Sequence, residues 1–439
     1  MKKIFKKYFD IITNEEHPTY KKVAAVLGLI ILILGLITAI IQLIITFSDG
    51  DMTNVENINN NGTYVGENYG NVYNGDIYNT IIENEKLPVS NASHNYNMAS
   101  LYEEQLDYGK AEEYYKLAIE EANLNSNTSS DRIAMYNNYA ILLLEMAKYN
   151  EAIDAANHMQ SINIDTDNDE NTTAAAYHLL AFAYKQQGDY SKSLEWYEKA
   201  LVIFENIFGK EHPDTATIYS NIAGVYNKQG EYVKALGLYE KDLAISEKVL
   251  GKDHSDTAIT YHNIAGVYNI QGEYAKALEL YEKALAIREN MLGKDYPETA
   301  ITYNNIALVY FNQGDYTNAL EGFEKALVIR EKVLSKMHPY TANSYHNIAS
   351  VYNIQGEYAK ALELYEKALA IRENMLGEEH PDTTITYHNI AGVFYNKGEY
   401  AKALEWCNKA LGLYEKVFGK EHPNTIELKD NIAAVKAEM

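Results

Sequence analysis

The sequence predicts an all-α solenoid, a stack of helical hairpins rather than one closed core. Two observations predict it. Gly188, Gly230, Gly272, Gly314, Gly356 and Gly398 stand 42 residues apart, each marking the same turn in a copy of one unit. The clearest copy, residues 261–293, reads YHNIAGVYNIQGEYAKALELYEKALAIRENMLG, and residues 345–377 repeat those 33 letters with one change, Gly266 to Ser350. A fixed period of this length marks supersecondary units that bury their apolar faces against neighbours. Such a stack presents extended surface more readily than a catalytic pocket, so the question of function becomes what that surface holds.

The first element is a basic segment, 1–22, with Lys2, Lys3, Lys6, Lys7, Lys21 and Lys22. Residues 23–47, VAAVLGLIILILGLITAIIQLIITF, carry no charge and one amide, Gln42. At ~1.5 Å per residue the run covers ~37 Å, enough to cross a ~30 Å hydrocarbon core with tilt. The competing assignment, a cleaved signal peptide, has an apolar region of roughly 7–15 residues and a small-residue cleavage site; this run is longer, and SDGDM follows it. The expectation is a single transmembrane helix. No Lys or Arg follows until Lys86, so the positive-inside rule places the N-terminus in the cytoplasm and the repeats beyond a membrane crossed once. Ala24, Gly28, Gly35, Ala39, Gln42 and Thr46 share a ~60° arc of this helix. That arc is either a homodimer face built on small residues or the ordinary abundance of Gly and Ala in membrane helices.

Residues 48–91 form an Asn/Gly/Tyr-rich linker. Its Asn-Gly turn signals and short β-prone pieces suit a small stacked β element. A polar tether suits them as well, because isolated short hairpins are marginal.

Residues 92–424 hold eight helix–turn–helix units, and 425–439 form a capping helix on which Asn431-Ile432-Ala433 repeats the first-helix signature. In the unit quoted above, Tyr261, Ile264, Ala265 and Tyr268 make an i, i+3, i+4, i+7 stripe on the first helix. Gly272 closes that helix. Ala277, Leu280, Tyr281 and Ala284 form the stripe of the second; Arg288 interrupts it, so the apolar face continues through Ile287 and Met291 to Gly293. In the first two units Leu106 and Ala147 take the place of the turn glycine. These residues resemble tetratricopeptide repeats, and the 42-residue unit, with NIA early and GKEHPDTA between units, is similar to the kinesin-light-chain type. The resemblance is strong over 176–439 and weaker over 92–175. It implies a right-handed α-solenoid that binds proteins. Nothing here corresponds to the light chain's coiled coil, so a motor role does not carry over. Asp242 departs from the small Ala found at 200, 284, 326, 368 and 410, and is expected to turn to water. Cys407 replaces a packing aromatic and is expected to be a buried, inert thiol.

The candidate site is a row of asparagines. Asn221, Asn263, Asn305, Asn347, Asn389 and Asn431 are 42 apart, Asn97 and Asn138 precede them, and Leu179 breaks the row. Asn costs roughly 0.6 kcal/mol in a helix interior, so a sustained row wants a reason. Its amide both donates and accepts, and a ladder of amides grips an extended peptide backbone without reading its sequence. The resemblance implies that this position lines the concave groove; bonding to the neighbouring helix is the structural alternative. His178, His262, His346 and His388 lie beside the row and are assigned to the groove with it. Gly266, Leu308, Ser350 and Gly392 are the expected variable groove positions. A second row, His212, His254, His338, His380 and His422, with Tyr296 once, falls in H-P-D-T strings or close variants that read as helix-start chemistry rather than metal ligands.

A formal net charge of −23 argues against nonspecific nucleic-acid binding, and one cysteine rules out an intrachain disulfide framework. The Asn/Lys/Ile/Tyr bias suggests an AT-rich bacterial genome. No nucleotide-binding or nucleophile motif occurs, so no catalytic residue, cofactor or metal is expected. The reading is a membrane-tethered adaptor that binds an extended peptide of a protein partner. The alternatives are a self-assembling scaffold without peptide ligand and, behind it, an enzyme with an unrecognised site.

Overall fold

A computed structural model describes residues 91–124, 128–165, 169–417, 419–421 and 423–439. They form 17 helices and no strand. The helices pair as α1 (Asn91–Glu104) with α2 (Tyr108–Leu124), α3 (Ser129–Glu145) with α4 (Tyr149–Asp165), α5 (Glu170–Gln186) with α6 (Tyr190–Ile207), and α7 (Pro213–Lys228) with α8 (Tyr232–Val249). The later pairs are α9 (Ser255–Ile270) with α10 (Tyr274–Met291), α11 (Pro297–Asn312) with α12 (Tyr316–Val333), α13 (Pro339–Ile354) with α14 (Tyr358–Met375), and α15 (Pro381–Asn396) with α16 (Tyr400–Val417). The last helix, α17 (Pro423–Ala437), stands alone.

Local chemistry sets these boundaries. Within the fifth pair, Gly272 adopts φ +75° and the Glu273 N–H donates to the Tyr268 carbonyl at 2.9 Å, a Schellman closure of α9. Leu106 and Ala147 make the same turn with φ of 60° and 55°, left-handed values that lack glycine's freedom. Between units, Nδ1 of His212, His254, His338 and His380 accepts the backbone N–H two residues on, at 3.1–3.2 Å, and so caps α7, α9, α13 and α15. Proline follows at the first helical position of α7, α13 and α15. The inter-unit loop is pinned by a buried threonine: Thr215, Thr257, Thr299 and Thr341 donate to a carbonyl six residues back at 2.7–2.9 Å.

The pairs bury small Ala/Tyr cores, as in Ala265, Ala277 and Tyr281 of the fifth pair, on which Val309 of the next unit packs, and each helix also packs on the next. The first helices touch across units (α3 with α5, α7 with α9, α9 with α11, α13 with α15), whereas among the described residues no two second helices pack as closely. The first helices therefore lie on the shorter, inner side of the stack. One contact reaches far along the chain. Leu376, after α14, packs on the apolar cluster of the first units, and the His380 ring hydrogen-bonds the backbone of Glu145 at the end of α3.

The expected localisation, single-pass with the repeats beyond a membrane, is corrected. Among the described residues no helix is long and apolar enough to cross a membrane. The longest have 18 residues and are charged along one face, ~27 Å of helix against a ~30 Å core. The run 23–47, its Ala24/Gly28/Gly35/Ala39/Gln42 dimer face and the linker through residue 90 lie outside the described residues, whereas Asn91, assigned to the linker, opens α1.

Candidate functional site

The inner helices carry the asparagine row, and its exposure is graded. Asn97 is exposed; Asn138, Asn221, Asn263 and Asn431 are half-buried; Asn305, Asn347 and Asn389 are buried. Every amide from Asn221 onward reaches back one unit. Nδ2 of Asn221 lies 2.8 Å from His178 Nε2, that of Asn305 lies 2.7 Å from His262 Nε2, that of Asn389 lies 2.8 Å from His346 Nε2, and that of Asn431 lies 3.2 Å from His388 Nε2. Where the histidine is replaced by Asn304, its Oδ1 accepts from Asn347 at 2.9 Å, and where it is Ser220 the Asn263 contact lengthens to 3.5 Å. The predicted Asn and His residues are thus brought together as an inter-unit clamp.

The histidines lie inside the units. His262, His346 and His388 are 2 % exposed or less, and their rings meet Tyr281, Tyr365 and Tyr414 edge-on. Burial holds His388 down to about 4 and His178, helped by the Lys185 charge, down to about 3, so both are neutral. Of the expected variable positions, Gly266, Leu308 and Ser350 are buried, with Ser350 Oγ 2.7 Å from Tyr365 Oη, and Gly392 is half-buried.

Two features escaped sequence reasoning. The first is a second amide pairing seven residues further along the same helices, Asn312 donating to Asn269 at 3.2 Å and Asn396 to Asn353 at 3.1 Å. The second is a set of buried arginines. Arg288, Arg330 and Arg372, read as interruptions or not at all, are 1–4 % exposed. Each Nη1 crosses to the next inner helix and donates to the carbonyl ten residues on (Glu298, Tyr340, Asp382; 3.0–3.2 Å). It also donates to the hydroxyl fourteen on (Thr302, Ser344, Thr386; 2.6–2.8 Å). Nη1 of Arg288 and Arg372 also faces Nδ1 of His262 and His346. A guanidinium only donates, so Nδ1 of His262 and His346 accepts and the ring proton sits on Nε2; Nε2–H then donates, and the amides of Asn305 and Asn389 meet it with their oxygens turned to the ring. The available signal was scarcity: the chain has only four arginines, and three occupy one position at the 42-residue period.

Asp242 does not turn to water. It is 5 % exposed, accepts from Ser246 at 3.0 Å and Thr260 at 2.8 Å, and is raised to about 6, chiefly by burial. Ser246 occupies the position of the arginines and leaves the room for it. The two border a cleft that admits the centres of water-sized molecules over about 30 Å³, and Asn221 and Asn263 stand at its rim. Cys407 is buried, and burial raises its thiol to about 11, as expected of an inert packing residue. Among the described residues no three His, Cys, Asp or Glu side chains gather to hold a metal ion.

Comparison with solved structures gives similar helical repeats. The nearly identical TPR-like repeats of a protein described as a kinesin light chain from Podosopora anserina are 28 % identical, covering 47 % of this chain and 98 % of that one at TM-score 0.40. BtubC (BKLC) from P. vanneervenii is 26 % identical over 54 % of this chain and 92 % of its own, at TM-score 0.41. A Rap protein complexed with Competence and Sporulation Factor is 15 % identical over 79 % and 98 %, at TM-score 0.47. No curated protein matches. Tetratricopeptide-repeat profiles match 94–123, 172–241, 214–290, 298–374 and 376–439, more than half of the sequence. With the paired helices, turn glycines and Ala/Tyr cores described above, this makes the chain a member of the tetratricopeptide repeat family.

Proposed function

We propose that the protein is a scaffold for protein–protein interaction whose inner face holds an extended segment of a partner. The observation that carries this reading is the half-buried part of the asparagine row, Asn138, Asn221, Asn263 and Asn431, on helices that face inward. Asn221 and Asn263 stand on consecutive inner helices, spaced by ~8–10 Å, and an extended peptide advances ~3.3 Å per residue, so these two amides meet the partner backbone about three residues apart; Leu179 leaves a gap between them and Asn138. Each amide donates and accepts, which suits a main chain. The buried members Asn305, Asn347 and Asn389, with His262, His346 and His388, act from behind. They fix the separation of the inner helices and so the pitch of the accessible amides. The acidic chain, net −23, favours neutral or basic segments.

Crosslinking in cells followed by identification of captured proteins tests the reading. Asn221→Ala/Asn263→Ala is expected to lower capture about tenfold while circular dichroism stays helical, since each lost hydrogen bond is worth ~1 kcal/mol. Undiminished capture by the folded variant would reject the inner-face mechanism.

A further inference from the structure

The fourth unit differs from its three successors at two positions at once. In α10, α12 and α14 an alanine (Ala284, Ala326, Ala368) is followed four residues later by the buried arginine. In α8 the same pair is Asp242 and Ser246. The acceptors that hold the guanidinium elsewhere are retained: the Asp256 carbonyl and Thr260 Oγ1 stand where Glu298 and Thr302 receive Arg288. A carboxylate has been added beside them, and the internal cation is gone. The space is not refilled by packing. It opens as the cleft of about 30 Å³ lined by Ser220, Asn221, Asp242, Asp256, Thr260 and Asn263 among others, with no Lys, Arg or His in its lining. A buried carboxylate without a cation is costly; Asp242 accepts from the hydroxyls of Ser246, Thr260 and Ser220, and the neighbouring Asp256 carboxylate repels it. Two carboxylate oxygens offer about four lone-pair sites, so the hydroxyls leave acceptor capacity unused.

We propose that this cleft receives an arginine side chain of the bound partner, which takes the place that the chain's own arginine fills in the next three units. The guanidinium fork meets Asp242 with two parallel donors and the Thr260 hydroxyl and Asp256 carbonyl with the rest. Asn221 and Asn263, at the rim, hold the main chain on either side. The inference rests on the inner-face reading and adds what that face selects.

The test displays a random dodecapeptide library to the full chain and to Asp242→Ala/Ser246→Arg, which rebuilds the pair found in the sister units. The wild-type chain is expected to enrich arginine-containing peptides. A selected peptide should bind about tenfold or more weakly when its arginine is replaced by citrulline, and by a similar factor to the double variant. Asp242→Asn, which keeps the shape and removes the charge, should match the double variant, so that a folding defect in either one does not decide the result. Peptides selected without arginine preference, or bound equally by all three proteins, overturn the cleft and leave the scaffold reading standing. If neither protein selects any peptide, the scaffold reading falls, and the cleft with it. Agmatine alone, binding as tightly as the arginine peptides, would assign the site to a free guanidinium compound and overturn the partner side chain.

Discussion

At the residue scale, buried titratable groups pull the pH dependence of the fold in opposite directions. His388 is depressed from 6.5 to about 4 by burial. The unfolded chain therefore takes up a proton near pH 6.5 that the folded chain refuses until about 4. The contribution is intact above 6.5 and is lost as pH falls through that window, ~3 kcal/mol for this one ring. His178 acts in the same direction, to about 3. Asp242 opposes them. Raised from 3.8 to about 6, it binds its proton first in the folded state, so its penalty at neutral pH is relieved as pH drops through 6, again ~3 kcal/mol. Glu103 and Glu298, each raised to about 8 chiefly by burial, act in the same sense as Asp242, so the share of a single ring in the acid response is read by removing that ring. Asn304 already replaces the histidine in one unit and still receives its asparagine. His388→Asn is accordingly expected to leave stability at pH 7 within ~1 kcal/mol and to flatten the loss between pH 6.5 and 4, as read from urea midpoints across pH.

At the element scale, inner helices are joined by side chains that single-helix periodicity cannot pair. Asn305→Ala removes the partner of buried His262 and is expected to cost ~1–3 kcal/mol in denaturant unfolding. Asn97→Ala, on an exposed side chain, should stay within ~0.5 kcal/mol. This contrast also explains what was legible. Helix ends were readable because Gly272 and its equivalents, and the H-P-D-T starts, are local chemistry with a fixed spacing. The asparagine row was readable as a period, and its partner was not, since the ring it meets belongs to the unit before. Arg288 looked like a break in the stripe because its acceptors, Glu298 and Thr302, lie on the following helix. Asp242 looked misplaced in an alanine position because its compensation, Ser246, appears only when two positions are compared across units.

At the scale of the whole molecule, the stack is more than a series of nearest neighbours. In an ordinary repeat array each unit is felt only by the ones beside it, and stability is close to a sum of local terms. The packing of Leu376 on the apolar cluster of the first units and the contact of His380 with the end of α3 add a term that joins early units to a late one. Leu376→Ala/His380→Asn is predicted to speed amide hydrogen exchange at the last turn of α3, although neither residue is its neighbour in the chain. Unchanged exchange there would show the contact to be energetically silent. With the tie in place, fraying from either terminus is opposed by the opposite end, so the array should melt in fewer, sharper steps than its repeat number suggests. The loop between α14 and α15 thus works as a latch, and whatever springs it would loosen the first hairpins at a distance.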